Sequence, residues 1–242
     1  REQLGHRHPW EVVRARFFGN RIVKSAGNQP VNILDLGSGD CWFAEQLLPR
    51  LPFGSTITCC DINFTELDLS TPTARGITKM RELPDGRFHI VVLLDVIEHV
   101  ENDMDFLQAN VRPKLAEGGM VLISVPAHPY LFSEHDQFLG HYRRYTRRQL
   151  LATNNTMFTP HENGYLFVSL ALVRLVQRLL PQNRDTDQQG VGSWTSGKPF
   201  TKLVTALLSI DALTSTALRR LRIHLPGLTV WVSSTGKVVK SQ

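Results

Sequence analysis

Two acids and a glycine turn hold the clearest chemistry in this sequence. Asp35 sits in an apolar run (Val31, Ile33, Leu34, Leu36) that leads directly into Gly37-Ser38-Gly39. Glycines let a backbone approach a bound molecule closely, and a following helix presents free N–H groups. Asp61 comes 22 residues after Gly39, close to the ~20 at which nucleotide-binding folds place the acid that holds a ribose. Two neighbouring hydroxyls ask for one bidentate acceptor, which an ionised carboxylate supplies. Farther on, Asp95-Val96-Ile97-Glu98-His99 closes another apolar run. Its two acids favour a cationic ligand, and His99 is either a base or a hydrogen-bonded structural residue.

A parallel sheet would position these groups. Residues 31–36, 55–61 and 88–95 read as strands buried on both faces, with shorter ones near 77–80, 120–125, 157–163 and 228–234. Helices are expected over 41–51, from about 100 to 115, from 146, over 164–180 and over 200–218. The turn at Glu117-Gly118-Gly119 precedes the fifth strand. Residues 182–198 are polar and read as a linker. The whole chain, 1–242, reads as one domain. An N-terminal helix falls within 1–28 and a helical insertion spans 165–225. That first helix either covers the sheet or brings His8, Trp10 and Arg14 over a ligand.

The segment 127–148 is the most unusual. It gathers His128, His135, His141, Tyr142, Arg143, Arg144, Arg147 and Arg148 beyond the carboxyl end of the fifth strand. In a doubly wound α/β sheet, ligands bind along that edge.

The pattern Asp35-Leu36-Gly37-Ser38-Gly39 with Asp61 resembles the class I S-adenosylmethionine (SAM)-dependent methyltransferases. Asp95-Val96-Ile97-Glu98-His99-Val100 and Gly140-His141-Tyr142-Arg143-Arg144-Tyr145 resemble segments of a branch of small bacterial members. The resemblance implies a seven-stranded, mostly parallel sheet ending in an antiparallel pair. It implies SAM held by Asp35, Gly37, Ser38, Gly39, Asp61, Ile62, Met80, Asp95 and Val96. The third strand of this family often ends in an Asp beside the adenine, but Lys79-Met80 stands there. Catalysis would fall to His99, His135, His141 and Tyr142. The acceptor would be a small or lipid-linked molecule, anionic in one version, with an oxygen receiving the methyl.

The bounds agree with an enzyme of this kind. The chain has 242 residues and a net charge of +5, which points modestly to an anionic partner. Three cysteines, two of them adjacent, make a poor disulfide framework, and no metal-ligand spacing is present. With no apolar run of membrane-spanning length and no visible signal peptide, the cytoplasm is expected. Peripheral contact with the inner membrane face through 165–222 is a further expectation. A nicotinamide enzyme would need a small residue where Trp42 stands. Nucleic-acid methylation lacks its Asn/Asp-Pro-Pro-aromatic or Pro-Cys motif, leaving nucleic acid as an alternative partner only. A non-catalytic SAM-binding protein is the other alternative.

Overall fold

The computed structural model describes residues 7–179 and 197–237. Seven strands form one sheet: β1 (Asn32–Leu36), β2 (Thr56–Cys60), β3 (Ile77–Met80), β4 (Phe88–Leu94), β5 (Leu115–Pro126), β6 (Phe158–Leu166) and β7 (Thr229–Gly236). Their order is β3-β2-β1-β4-β5-β7-β6, and only β7 runs antiparallel to its neighbours β5 and β6. This is the expected doubly wound sheet. Its strand order reverses between β1 and β4, which run parallel, and this is the place where such sheets bind ligands.

Two apolar layers explain the unbroken hydrophobicity of β1 and β4. Successive side chains point to opposite faces. Ile33, Ile90 and Val92 join one cluster, which also holds Phe18, Ile22, Leu47 and Trp231. Leu34, Val91 and Leu93 join the other, with Leu107, Val111, Leu150 and Phe158. The first layer is covered by α1 (Pro9–Ala26), α2 (Trp42–Leu47) and α8 (Lys198–Arg220), whose Leu208 and Ala212 are buried.

Several boundaries differ from the sequence reading, each for a local reason. The helix expected from about 100 to 115 runs without a gap over 103–114, but its winding changes along the way. A short α4 (Asp103–Phe106), capped by Asn102, passes into a wide turn over 107–111 and a tight one over 112–114. The turn at 117–119 lies inside β5, where the pairing jumps from Phe88↔Leu115 to Ile90↔Met120 and Gly118 takes φ 68°. Strand β6 runs through Gly164, so α7 (Val168–Leu179) starts later than the periodicity suggests. Its first amides are capped from another helix, with Val168 N and Ser169 N donating to the Asp211 carboxylate at 3.1 and 2.7 Å. The linker reading over 182–198 falls outside the described residues except for its last two, which begin α8. Among the described residues no helix is long and apolar enough to cross a membrane.

Candidate active site

The glycine turn at the end of β1 is anchored from β2. Gly37 N donates to the Cys60 carbonyl at 2.8 Å, and Gly39 N donates to Asp61 Oδ2 at 2.8 Å. The other Asp61 oxygen accepts from Asn63 N at 2.9 Å. Strand pairing of β1 with β2 thus delivers the carboxylate to the turn, as the spacing implied. Gly37 (φ 71°) has no room for a side chain, since a Cβ would sit 2.6 Å from Val96 Cγ2. Gly39 (φ 55°) faces open space. The helix contributes less than expected. It has six residues, and Trp42 N is already held by Asp40 Oδ1 at 3.2 Å.

Asp35 lies beneath this turn, 3 % exposed, with Oδ2 unpartnered. Burial pushes its pKa up to about 7; nearby Asp61 adds to the rise and the Arg14 cation opposes it. Helix α1 crosses in front. Arg14 pairs with Asp95 and lies over the Trp10 ring at 4.5 Å. Arg7 pairs with Asp40 and Glu11 and sits 5.0 Å from the Trp42 ring centroid. His8 serves as the helix N-cap, accepting from Trp10 N. Together α1 and the turn enclose a cleft of about 170 Å³ lined by Arg7, Glu11, Arg14, Gly37, Ser38 and Trp42, among others. Arg14 therefore lines this cleft, Trp10 stacks against it, and His8 caps the helix.

Beyond β4 the acids diverge. Asp95 adopts φ 59°, a region unfavourable for a non-glycine residue, with its carboxylate on Arg14 and near Ser124 Oγ. Glu98 is fully buried, and both its oxygens lack a partner. Burial and the Asp95 charge hold its pKa well above the usual range.

The loop from Ala127 to Tyr145 is braced at both ends by a bridge between those residues. It contains α5 (Glu134–Phe138) and is followed by α6 (Arg147–Asn155), whose Thr146–Gln149 capping box matches the expected helix start. Buried Asp136 organises the loop. It takes the His141 imidazole at 2.9 Å, Arg144 Nε at 2.8 Å and Ser133 N at 3.0 Å. Burial alone would raise its pKa, but these donors, charged Arg144 included, outweigh it and hold the carboxyl below the ordinary range. A cavity of about 440 Å³ lies beside the loop, lined by Asp103, Phe132, Tyr142, Arg143 and Tyr145, among others.

Of the residues chosen from sequence, Asp35, Gly37, Ser38, Gly39, Asp61 and Val96 gather at one place. Asp95 joins them through Arg14. Ile62 (83 % exposed) and Met80 lie on the outer rim, and Asp61 N donates to the Met80 carbonyl. On the acceptor side only Tyr142 lines the large cavity, while His99 and His141 pack against each other with ring centroids 4.6 Å apart. His135 lies on α5 without lining it. Three of the four arginines are committed to the protein. Arg143 reaches the Glu101 carbonyl and Asp103, Arg144 holds Asp136, and Arg147 holds Asn163. Sequence reasoning overlooked Arg7, Asp40 and the organising role of Asp136. Its best clue was an acid five residues before His141.

A doubly wound sheet of order 3-2-1-4-5-7-6 with an acid-tipped second strand beside a glycine turn defines the class I methyltransferase fold. The family described as methyltransferase domain matches residues 10–179, and the chain belongs to it. It is a SAM-dependent methyltransferase. Comparison with curated proteins finds no match. Among solved structures, the chain resembles the N-methyltransferase NodS of Bradyrhizobium japonicum (14 % identity, TM-score 0.53, covering 95 % of this chain and 98 % of that one). It is equally similar to the 1,6-didemethyltoxoflavin-N1-methyltransferase of Burkholderia thailandensis (14 %, 0.54, 95 % and 81 %). The cyclase SpnF shares the fold too (11 %, 0.55, 93 % and 82 %). At these identities the likeness shows architecture alone.

Proposed function

We propose that the turn 37–39, Asp35 and Asp61 hold SAM, and that a methyl group passes to an oxygen of a small or lipid-linked acceptor entering beside the loop 127–145. The observation carrying this reading is the Asp61 carboxylate, locked against the Gly39 amide at the sheet's switch point. The residues fit the cofactor. Gly39 leaves open space, the Asp35 oxygen lacks a partner, and the cleft under α1 is lined by both glycines. Asp61 would take the ribose hydroxyls. Asp35 would orient the turn and the amino group of the methionine part. Ile62 and Met80 would flank the adenine, with backbone groups replacing the absent third-strand Asp. The Burkholderia neighbour was solved with S-adenosylhomocysteine, which supports this assignment.

Bound SAM supplies a methyl already activated on a sulfonium. The chain's task is then alignment and exclusion of water, worth several kcal/mol of the barrier. Helix α1 closes one side through Arg7 and Arg14. The Asp95 carboxylate, paired with Arg14, would supply an acidic edge suited to a cation, with Glu98 buried behind it. His99, His135, His141 and Tyr142 make up the acceptor side, with Tyr142 at the cavity wall.

Turnover of labelled SAM against phenolic, carboxylic and lipid-linked acceptors tests the reading. Tyr142→Ala should leave SAM affinity unchanged and lower turnover about tenfold or more. Lost cofactor binding in that variant would make the loop a brace instead of an acceptor wall.

A second reading concerns where the acceptor resides. Leu172, Val173 and Val176 on α7 and Leu203, Leu207, Ile210 and Leu213 on α8 are all exposed. Such exposed apolar residues, with Arg220 and Arg222 at the end of α8, suit an anionic lipid layer and hence a lipid-linked acceptor.

A further inference from the structure

On the acceptor side, one cluster of side chains has an arrangement beyond what methyl transfer itself requires. The tight turn Ile97–His99 after β4 meets the loop after α5 through the Tyr142 amide, which donates to the Glu98 carbonyl at 2.8 Å. That contact sets His141 beside His99. One ligand atom each of Glu98, His99 and His141 then lies within 4.8 Å of the others. Glu98 is 0 % exposed, and neither of its carboxylate oxygens has a hydrogen-bond partner. A buried carboxyl left so is costly unless a donor or a cation completes it.

The surrounding groups prepare the imidazoles. His141 Nδ1 is paired with Asp136 at 2.9 Å, and Asp136 is fixed in turn by Arg144 and the Ser133 amide. This leaves the Nε2 lone pair of His141 as the ligand atom, an imidazole–carboxylate pairing usual behind metal-binding histidines. The His99 ring makes backbone hydrogen bonds to Gly140 and Leu139, and its outer side is exposed. Coordination positions on that side would stay open.

We propose that Glu98, His99 and His141 bind a divalent transition-metal ion, with Asp136 as the positioning residue for His141. Two imidazoles with one carboxylate suit zinc, cobalt, iron or manganese, whereas magnesium and calcium prefer an all-oxygen set. Asp95 adds negative charge near Glu98, while Arg14 and Arg144 oppose it. These ligands come from two distant stretches of chain, and so no metal spacing is visible in the sequence.

The cluster shares His99 and His141 with the proposed acceptor side, but metal binding is measured separately from methyl transfer. The full chain, treated with chelator and dialysed, is titrated with Co²⁺ and followed by visible absorption, then with Zn²⁺ by calorimetry. One ion per chain is expected, with a cobalt spectrum of nitrogen and oxygen ligation. Glu98→Gln, His99→Ala and His141→Ala should each weaken binding about 100-fold or more, and Asp136→Asn about 10- to 100-fold. His161→Ala, removing an exposed imidazole on β6, should change nothing. His99 is exposed, so its variant keeps the fold even where Glu98→Gln does not. Absence of saturable binding at roughly tenfold excess of ion, or equal affinity in wild type and His99→Ala, overturns the proposal. SAM affinity on the same preparations reports on the cradle alone.

Discussion

Asp35 shows how burial and neighbouring charge set the properties of one residue. Its pKa near 7 exceeds the ordinary 3.8 because the carboxyl is buried, with Asp61 adding and Arg14 opposing. The folded state therefore holds the proton more tightly than the unfolded chain. Stability is lost as pH rises from about 4 through 7 and levels off above that. At about 1.4 kcal/mol per pKa unit the loss is of order 4 kcal/mol at most. Asp35→Asn removes this titration. Thermal or denaturant unfolding from pH 4 to 8 should show the variant gaining on wild type across that window. A difference that does not change with pH would mean that the Asp35 charge is compensated in the fold.

At the scale of elements, the glycine turn depends on contact between two strand ends. An alanine at Gly37 meets both φ 71° and the Val96 side chain. Gly37→Ala should cost about 2–3 kcal/mol in urea unfolding. Adding Val96→Ala should recover the steric part but not the backbone part. Full recovery, or none, would misplace the cause. The turn was legible in the sequence because its chemistry is local: an apolar run, two glycines and an acid at the next strand end. The helix start at Thr146 was legible for the same reason. The helix after β4 was legible as one run, but its wider winding over 107–111 was not. Nor was the closing role of α1, which rests on Arg14 reaching Asp95 across 81 positions. The spacing of Asp136 before His141 was visible, but that Asp136 is buried and gathers both His141 and Arg144 was not, because a buried acid's partners are chosen by the fold.

Over the whole molecule, α8 turns Leu208 and Ala212 inward and leaves Leu203, Leu207, Ile210 and Leu213 outside. The stripe that periodicity picks out, Leu203, Leu207, Ile210 and Leu213, is therefore not the face that packs on the core. Its cationic end is weaker than composition suggests, because Arg219 pairs with Glu162 at 3.2 Å. If this face rests on lipid, the protein should float with anionic vesicles at low salt, and added salt should release it. Leu207→Glu with Ile210→Glu, both exposed positions, should abolish flotation without unfolding. Sedimentation away from lipid at low salt would leave the helices as a cover for the sheet. The central claim is that SAM lies between the 37–39 turn and Asp61. Its most direct test is calorimetric titration of the full chain and Asp61→Ala with S-adenosylhomocysteine. The account predicts one site per chain, weakened in the variant by ~1.5–3 kcal/mol, or about 10- to 150-fold. Equal affinity in the two proteins would contradict it.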